Sequence, residues 1–251
     1  MALFDPRAYS APSDLLTDRV ILITGATAGI GRVAALTFAR HGATVALHGR
    51  NQRKLETLYD EIASQELPTP IIAVMDLAKA HGPNYFQLAE EIDKQFGRLD
   101  GLLHNAGLLG QLAPIEHYSV SDWANVMHVN LTVPFVLTQV LLPLLKKSPD
   151  ASVVFTSSGV GRIGRAFWGA YAVSKFGIEG LSQVLADEVG ENDTLRVNCI
   201  NPGSTRTAMR ASAYPGEDPQ TLRTPEEIMA TYLYLLGPDS RDVNGQSLDA
   251  Q

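Results

Sequence analysis

Arg19-Val20-Ile21-Leu22-Ile23-Thr24 runs without a break into Gly25-Ala26-Thr27-Ala28-Gly29-Ile30-Gly31, and this junction decides the fold. A short, continuous apolar run suits a strand buried on both faces of a parallel sheet. A helical pattern follows through Ala34, Ala35, Phe38 and Ala39 and stops at His41-Gly42. The glycine loop thus lies between a first strand and a first helix, where ligands bind in open α/β sheets. Glycines there let the backbone approach a pyrophosphate, and the helix N-terminus supplies N–H donors and positive dipole. The spacing is Gly-x-x-x-Gly-x-Gly rather than the common Gly-x-Gly-x-x-Gly, and no Gly-Lys-Ser/Thr phosphate loop is present. The alternative is a tight strand-to-helix turn without a ligand.

The pattern repeats outward from this junction. Strands are expected at residues 44–47, 71–74, 99–104, 152–156 and 195–200, with a marginal one at 247–248. Helical stretches alternate with them at 52–64, 85–96, 121–146, 170–189 and 225–236, the last with Thr224 as cap and Pro225 at its first position. Alternating strands and helices indicate a parallel sheet covered by helices on both faces. Residues 206–223 read as irregular. Residues 1–13, with Pro6 and Pro12, read as an N-terminal arm, and 14–251 as a single domain.

Composition excludes several function classes. The chain has 251 residues, 45% of them hydrophobic, enough for a substantial core. Its formal charge is −7 and it lacks a basic run of nucleic-acid type. Cys199 is the sole cysteine, so neither a disulfide framework nor a cysteine metal cluster is expected, and no metal site is assigned. No apolar stretch is expected to reach membrane-spanning length, and no secretory signal is visible at the N-terminus. A cytoplasmic protein with no membrane partner is expected.

Further candidates sit where strands end. After the second strand, an Asp or Glu would accept from a ribose 2′-hydroxyl and select NAD. Here Gly49 is followed by Arg50, which suits a 2′-phosphate and favours NADP(H), with NAD(H) an alternative. An ordinary exposed arginine fits the position too. Asp76-Leu77 would sit over an adenine, or form a plain turn. Asn105-Ala106-Gly107 ends the fourth strand in a small turn that lets a cofactor come close. Asn130, between Val129 and Leu131 in a helix, is expected to be buried, and its amide needs partners. Pro202-Gly203 follows the sixth strand.

Tyr171-Ala172-Val173-Ser174-Lys175 puts a phenol and an ammonium at i and i+4, on one helix face. A tyrosine pKa near 10 makes a poor acid or base at neutral pH, and a nearby cation moves it toward the working range. Ser158 can then hold the oxygen that gains or loses the proton. Together the three form a proton-transfer device for a hydroxyl/carbonyl couple. On spacing alone, an amphipathic face with a surface lysine fits as well.

Taken in order, Thr24-Gly25-x-x-x-Gly29-Ile30-Gly31, Asn105-Ala106-Gly107, Asn130, Ser158, Tyr171-x-x-x-Lys175 and Pro202-Gly203-x-x-x-Thr207 resemble the short-chain dehydrogenase/reductases over residues 18–236. Residues 161–170 and 205–212 look more narrowly like the bacterial YciK-type oxidoreductases. The resemblance implies Tyr171 as general acid/base, Lys175 lowering its pKa and holding the nicotinamide ribose, and Ser158 orienting the substrate oxygen. Asn130 would anchor a water linking Lys175 to solvent. Gly25, Thr27, Gly29, Ile30 and Gly31 would line the pyrophosphate side, Asn105 would lie near the ribose, and Thr205, Thr207 and the backbone after Pro202 would meet the carboxamide. Two features depart from the family pattern: residues 244–251 lack the usual Gly-rich turn, and no basic residue precedes Gly29.

The expectation is a Rossmann-like, doubly wound, seven-stranded sheet of order 3-2-1-4-5-6-7. Its activity would be NADP(H)-dependent carbonyl reduction or alcohol oxidation on a small molecule. A homotetramer or homodimer through the helices at 121–146 and 170–189 is implied. Rival readings are a non-catalytic NADP(H)-binding redox sensor of the same fold and a nucleoside-cofactor methyltransferase. Arg162, Arg165, Arg206 and Arg210 lie in the expected substrate walls, as attractors of an anionic substrate or the cofactor phosphates, or as a solvated rim or a subunit contact.

Overall fold

The computed structural model describes residues 4–190 and 194–251; the first three residues of the expected arm lie outside them. Among the described residues, seven strands form one sheet: β1 (Val20–Thr24), β2 (Thr44–Gly49), β3 (Ile71–Val74), β4 (Gly101–His104), β5 (Ala151–Thr156), β6 (Leu195–Asn201) and β7 (Ser247–Asp249). Their order is β3-β2-β1-β4-β5-β6-β7 and every pairing is parallel. The expected doubly wound sheet is therefore present. All five residues of β1 are buried, because β1 is flanked on both sides and covered on both faces.

Side-chain alternation divides the core in two. Ile21, Ile23, Val45 and Leu47 pack with Phe38 of α1 (Gly29–Arg40), Leu55 and Leu58 of α2 (Gln52–Ala63) and Tyr232 of α8 (Met229–Leu236). Val20, Leu22, Ala46 and Leu102 pack on the other face. There they meet Leu88 of α3 (Gly82–Phe96), Leu137 of α5 (Val133–Leu145) and Ile178 of α6 (Gly169–Val189). At the N-terminal edge of the sheet Asp150 accepts from Arg19 at 2.7 Å and also pairs with Arg196.

Three readings are corrected. The helix expected at 121–146 is α4 (Val120–Met127), a widened π turn (His128–Thr132) and α5 in succession. Such turns insert an extra residue into a helix and gather at functional sites; this one holds Asn130. Val120–Leu145 is also long and apolar enough to cross a membrane by length and composition, contrary to the expectation of no such stretch. Half of its apolar 18-residue stretch is buried inside the protein, where side chains such as Leu137 and Leu141 belong to the core. The irregular segment at 206–223 contains α7 (Ala208–Ala213), capped by Thr207, whose Oγ1 accepts from Arg210 N. Its single turn and a half gives too short a period to read.

Candidate active site

A cleft of about 540 Å³ opens at the C-terminal ends of the strands. The β1–α1 loop forms one wall. Gly25 has φ +71°, and a Cβ there would stand 3.0 Å from Ala106 Cα, so the β1 and β4 loops touch backbone to backbone. Thr24 fixes that contact, its Oγ1 accepting from the N–H groups of Asn105 (2.9 Å) and Ala106 (3.1 Å). The N-cap of α1, Ala28, makes no side-chain cap bond, which leaves the first-turn donors to a ligand. Thr207 closes the cradle, its Cγ2 lying 3.4 Å from where a Cβ on Gly29 would stand.

The cleft brings together Gly25, Thr27, Gly29, Ile30, Arg50, Asp76, Leu77, Asn105, Ala106, Gly107, Ser158, Tyr171, Lys175, Pro202, Gly203, Thr205 and Thr207. Two expected site residues stand behind it instead. A Cβ on Gly31 would fall 2.4 Å from Gly25 O, so Gly31 lets the loop fold onto the helix. Asn130 is buried at 1% exposure; its Oδ1 accepts from Leu108 N (2.8 Å) and its Nδ2 donates to Leu108 O (2.9 Å) and Ser174 Oγ (3.1 Å). Its amide thus pins the β4 loop to α6.

Tyr171 and Lys175 share a face of α6 and open into the same cleft. Lys175 Nζ lies 5.5 Å from the Tyr171 ring centroid and donates to Thr156 O at 2.6 Å. Burial pulls the Lys175 ammonium down to about 8, with Cys199 and Glu179 acting the other way. Burial also pushes the Tyr171 phenol up to about 12, with the Ser158 hydrogen bond working the other way. That direction is opposite to the one expected from the lysine: desolvation of the phenolate outweighs a cation whose proton is shared with a carbonyl.

Residues 19–218 match the model of the short chain dehydrogenase family. The chain belongs to this family. It is 56% identical over 243 residues to the uncharacterized oxidoreductase YciK of Escherichia coli (strain K12), spanning 97% of this chain and 96% of that one. A short chain dehydrogenase structure from Pseudomonas syringae superposes with a TM-score of 0.96 at 53% identity, covering 100% of both chains. Another, from Escherichia coli CFT073 and complexed with NADPH, gives 0.93 at 55% identity, covering 96% of this chain and all of that one. This short chain dehydrogenase is an oxidoreductase.

Several lining residues escaped the sequence. His48, Met75 and Asn125 line the cleft; no motif marks them. Thr156 contributes a carbonyl, which no side-chain pattern reveals. The four arginines form tethers. Arg162 binds Asp249 (2.7 Å) and Ser247, and Arg206 binds the carbonyls of Pro219 and Leu222. Arg165 donates to Tyr214 OH at 2.8 Å. Arg210 grips Glu217 through two 2.6 Å bonds and stacks 3.8 Å over the Tyr214 ring.

Proposed function

We propose that this short chain dehydrogenase reduces a carbonyl compound with NADPH, or oxidises the matching alcohol with NADP⁺. The observation that carries the reading is the opening of Ser158, Tyr171 and Lys175 into the same cleft as the glycine loop. The cleft fits a dinucleotide: a Cβ-free cradle at Gly25, uncapped donors at the start of α1, and Arg50, which pairs with no described carboxylate, at the far end. The relatives complexed with NADP and NADPH support the choice of cofactor. The first turn of α1 would hold the pyrophosphate, Arg50 a 2′-phosphate, Asp76 and Leu77 the adenine, and Asn105 and Lys175 the riboses. Thr205, Thr207 and the backbone after Pro202 would take the carboxamide.

NADP(H), when bound, supplies or accepts the hydride. In reduction, Ser158 donates a hydrogen bond to the carbonyl oxygen and Tyr171 gives that oxygen its proton as negative charge develops there. The Lys175 ammonium stabilises the phenolate that remains. In oxidation the same proton returns to Tyr171. Because Tyr171 holds its proton at neutral pH, reduction is favoured there, and oxidation gains as pH rises.

The substrate half of the cleft is lined by Leu108, Leu109, Trp168, Met209 and Ala213. Trp168 stands 5.7 Å from the Tyr171 ring, centroid to centroid. Arg210, the guanidinium at that end, is neutralised by Glu217. These features support an uncharged, largely apolar substrate in place of an anion. A homodimer or homotetramer through α5 and α6 is part of the proposal, on the exposure of Phe135, Val173, Phe176 and Val184.

The test is a titration with NADPH, NADH and S-adenosylmethionine, then a screen of aldehydes, ketones and quinones followed by NADPH absorbance. Turnover of neutral members, lost in Tyr171→Phe with NADPH affinity retained, is expected. Cofactor binding without turnover of any member would refute the assignment, and a preference for carboxylated members would refute the neutral pocket.

A further inference from the structure

Further along the same face of α6 lies a carboxylate that the proposed reaction does not use. Glu179 is one helical turn beyond Lys175 and is 9% exposed. Residues at i and i+4 are neighbours on a helix face, so the series Tyr171, Lys175, Glu179 runs along one side. Glu179 Oε1 accepts from Ser157 Oγ at 2.5 Å and from Ser247 Oγ at 2.8 Å, and stands 3.5 Å from Arg162 Nε. Ser157 precedes Ser158 at the end of β5, Arg162 follows in the next turn, and Ser247 opens β7. One buried carboxylate therefore joins α6 to three segments, the first of which runs directly into Ser158 in the cleft.

We propose that Glu179 is a positioning residue of the proton-transfer set, fastening the Ser158 strand end to the catalytic helix and facing Lys175 with the negative charge that keeps it an ammonium. The inference rests on the role given above to Lys175.

The groups around Lys175 single out this carboxylate. The Thr156 carbonyl from β5 is neutral and accepts its proton. His104 from β4 is held neutral by burial, at about 3. Cys199 from β6 is pushed by burial up to about 12, so its thiol is protonated at working pH. Tyr171 keeps its proton, and the Asn130 amide carries no charge. Glu179 is the anion left facing the lysine. It is opposed from its other side by Arg162, which Asp249 shares. A buried ammonium is lost as pH rises unless an opposite charge holds it.

NADPH binding to the whole chain, followed by nicotinamide fluorescence between pH 6.5 and 10, reads Lys175 without any substrate. The wild type should lose affinity with a midpoint near pH 8, where Lys175 sheds its proton. Glu179→Gln keeps the shape and hydrogen bonding but removes the charge, and should move that midpoint down by about one pH unit. Arg162→Gln removes the opposing cation and should move it up. Midpoints that coincide with wild type in both variants would overturn the inference. Should Glu179→Gln not fold, as judged by circular dichroism, Arg162→Gln decides alone. Lys175→Met separates this result from the underlying reading. If its binding keeps the same alkaline midpoint, Lys175 is not the group observed and the reading of the lysine fails. If the midpoint vanishes in Lys175→Met and stays fixed in the other two, only the role of Glu179 is lost.

Discussion

Lys175 and Thr156 are joined by a 2.6 Å bond from ammonium to backbone carbonyl, which ties α6 to the end of the strand it packs on. The lysine is 4% exposed, so its position is fixed by the backbone it reaches.

That geometry makes the site intolerant of arginine. A planar guanidinium cannot replace a compact ammonium in a buried pocket. Lys175→Arg is expected to lose about 10²-fold or more in kcat, despite keeping the charge. Steady-state kinetics with NADPH and any accepted carbonyl compound checks this. Near-normal turnover would show that charge alone suffices.

Arg50 separates the two nicotinamide cofactors. Charge-assisted bonds to a phosphate are worth about 1.5–3 kcal/mol. Arg50→Ala should therefore weaken NADPH binding about 10–100-fold and leave NADH binding unchanged, as read by fluorescence titration. An equal loss for both would assign Arg50 to the general field of the cleft.

Gly31→Ala tests the packing of the glycine loop. Its added Cβ would stand 2.4 Å from Gly25 O and 2.5 Å from Asn105 Nδ2. Backbone must move to relieve that, at a cost of about 1–3 kcal/mol. The thermal midpoint should fall and NADPH affinity with it. Gly216, whose Cβ would meet nothing within 4 Å, serves as a neutral control.

Two buried histidines predict acid lability. Burial holds His48 at about 4 and His104 at about 3, against about 6.5 for an unfolded histidine. Both values are depressed in the folded state, so the unfolded chain binds more protons below pH 6.5. Their contribution is complete above that pH and is lost as pH falls toward the folded values. By pH 5 the two together should cost about 4 kcal/mol. Urea unfolding at pH 7.5 and pH 5 measures this. His48→Leu should remove part of the pH dependence, since burial is the main cause of the downward pull on its imidazole.

What the sequence disclosed follows from how local each feature is. The runs at 19–24 and 152–156 read as buried strands because burial on both faces leaves no polar alternation. Tyr171 and Lys175 were legible because one helix carries both. The sign of the Tyr171 shift was not, since desolvation depends on everything packed around the ring. Nor were the arginine tethers, whose partners lie up to 87 positions away. Glu179 was within reach, since the i+4 step from Tyr171 to Lys175 arrives there when taken once more.

The π turn at His128–Thr132 has a mechanical consequence. It places one more residue in the path than a regular helix needs, and each residue turns a helix by about 100°. Deleting a single position there would let the coil close up evenly while rotating Val120–Met127 about its own axis. Asn125 would swing away from the cleft it lines, and Asn130 would release Leu108, with composition almost unchanged. The irregularity therefore works as a phase-setting insert that lets Val120–Met127 meet the chamber while Val133–Leu145 stays seated in the core.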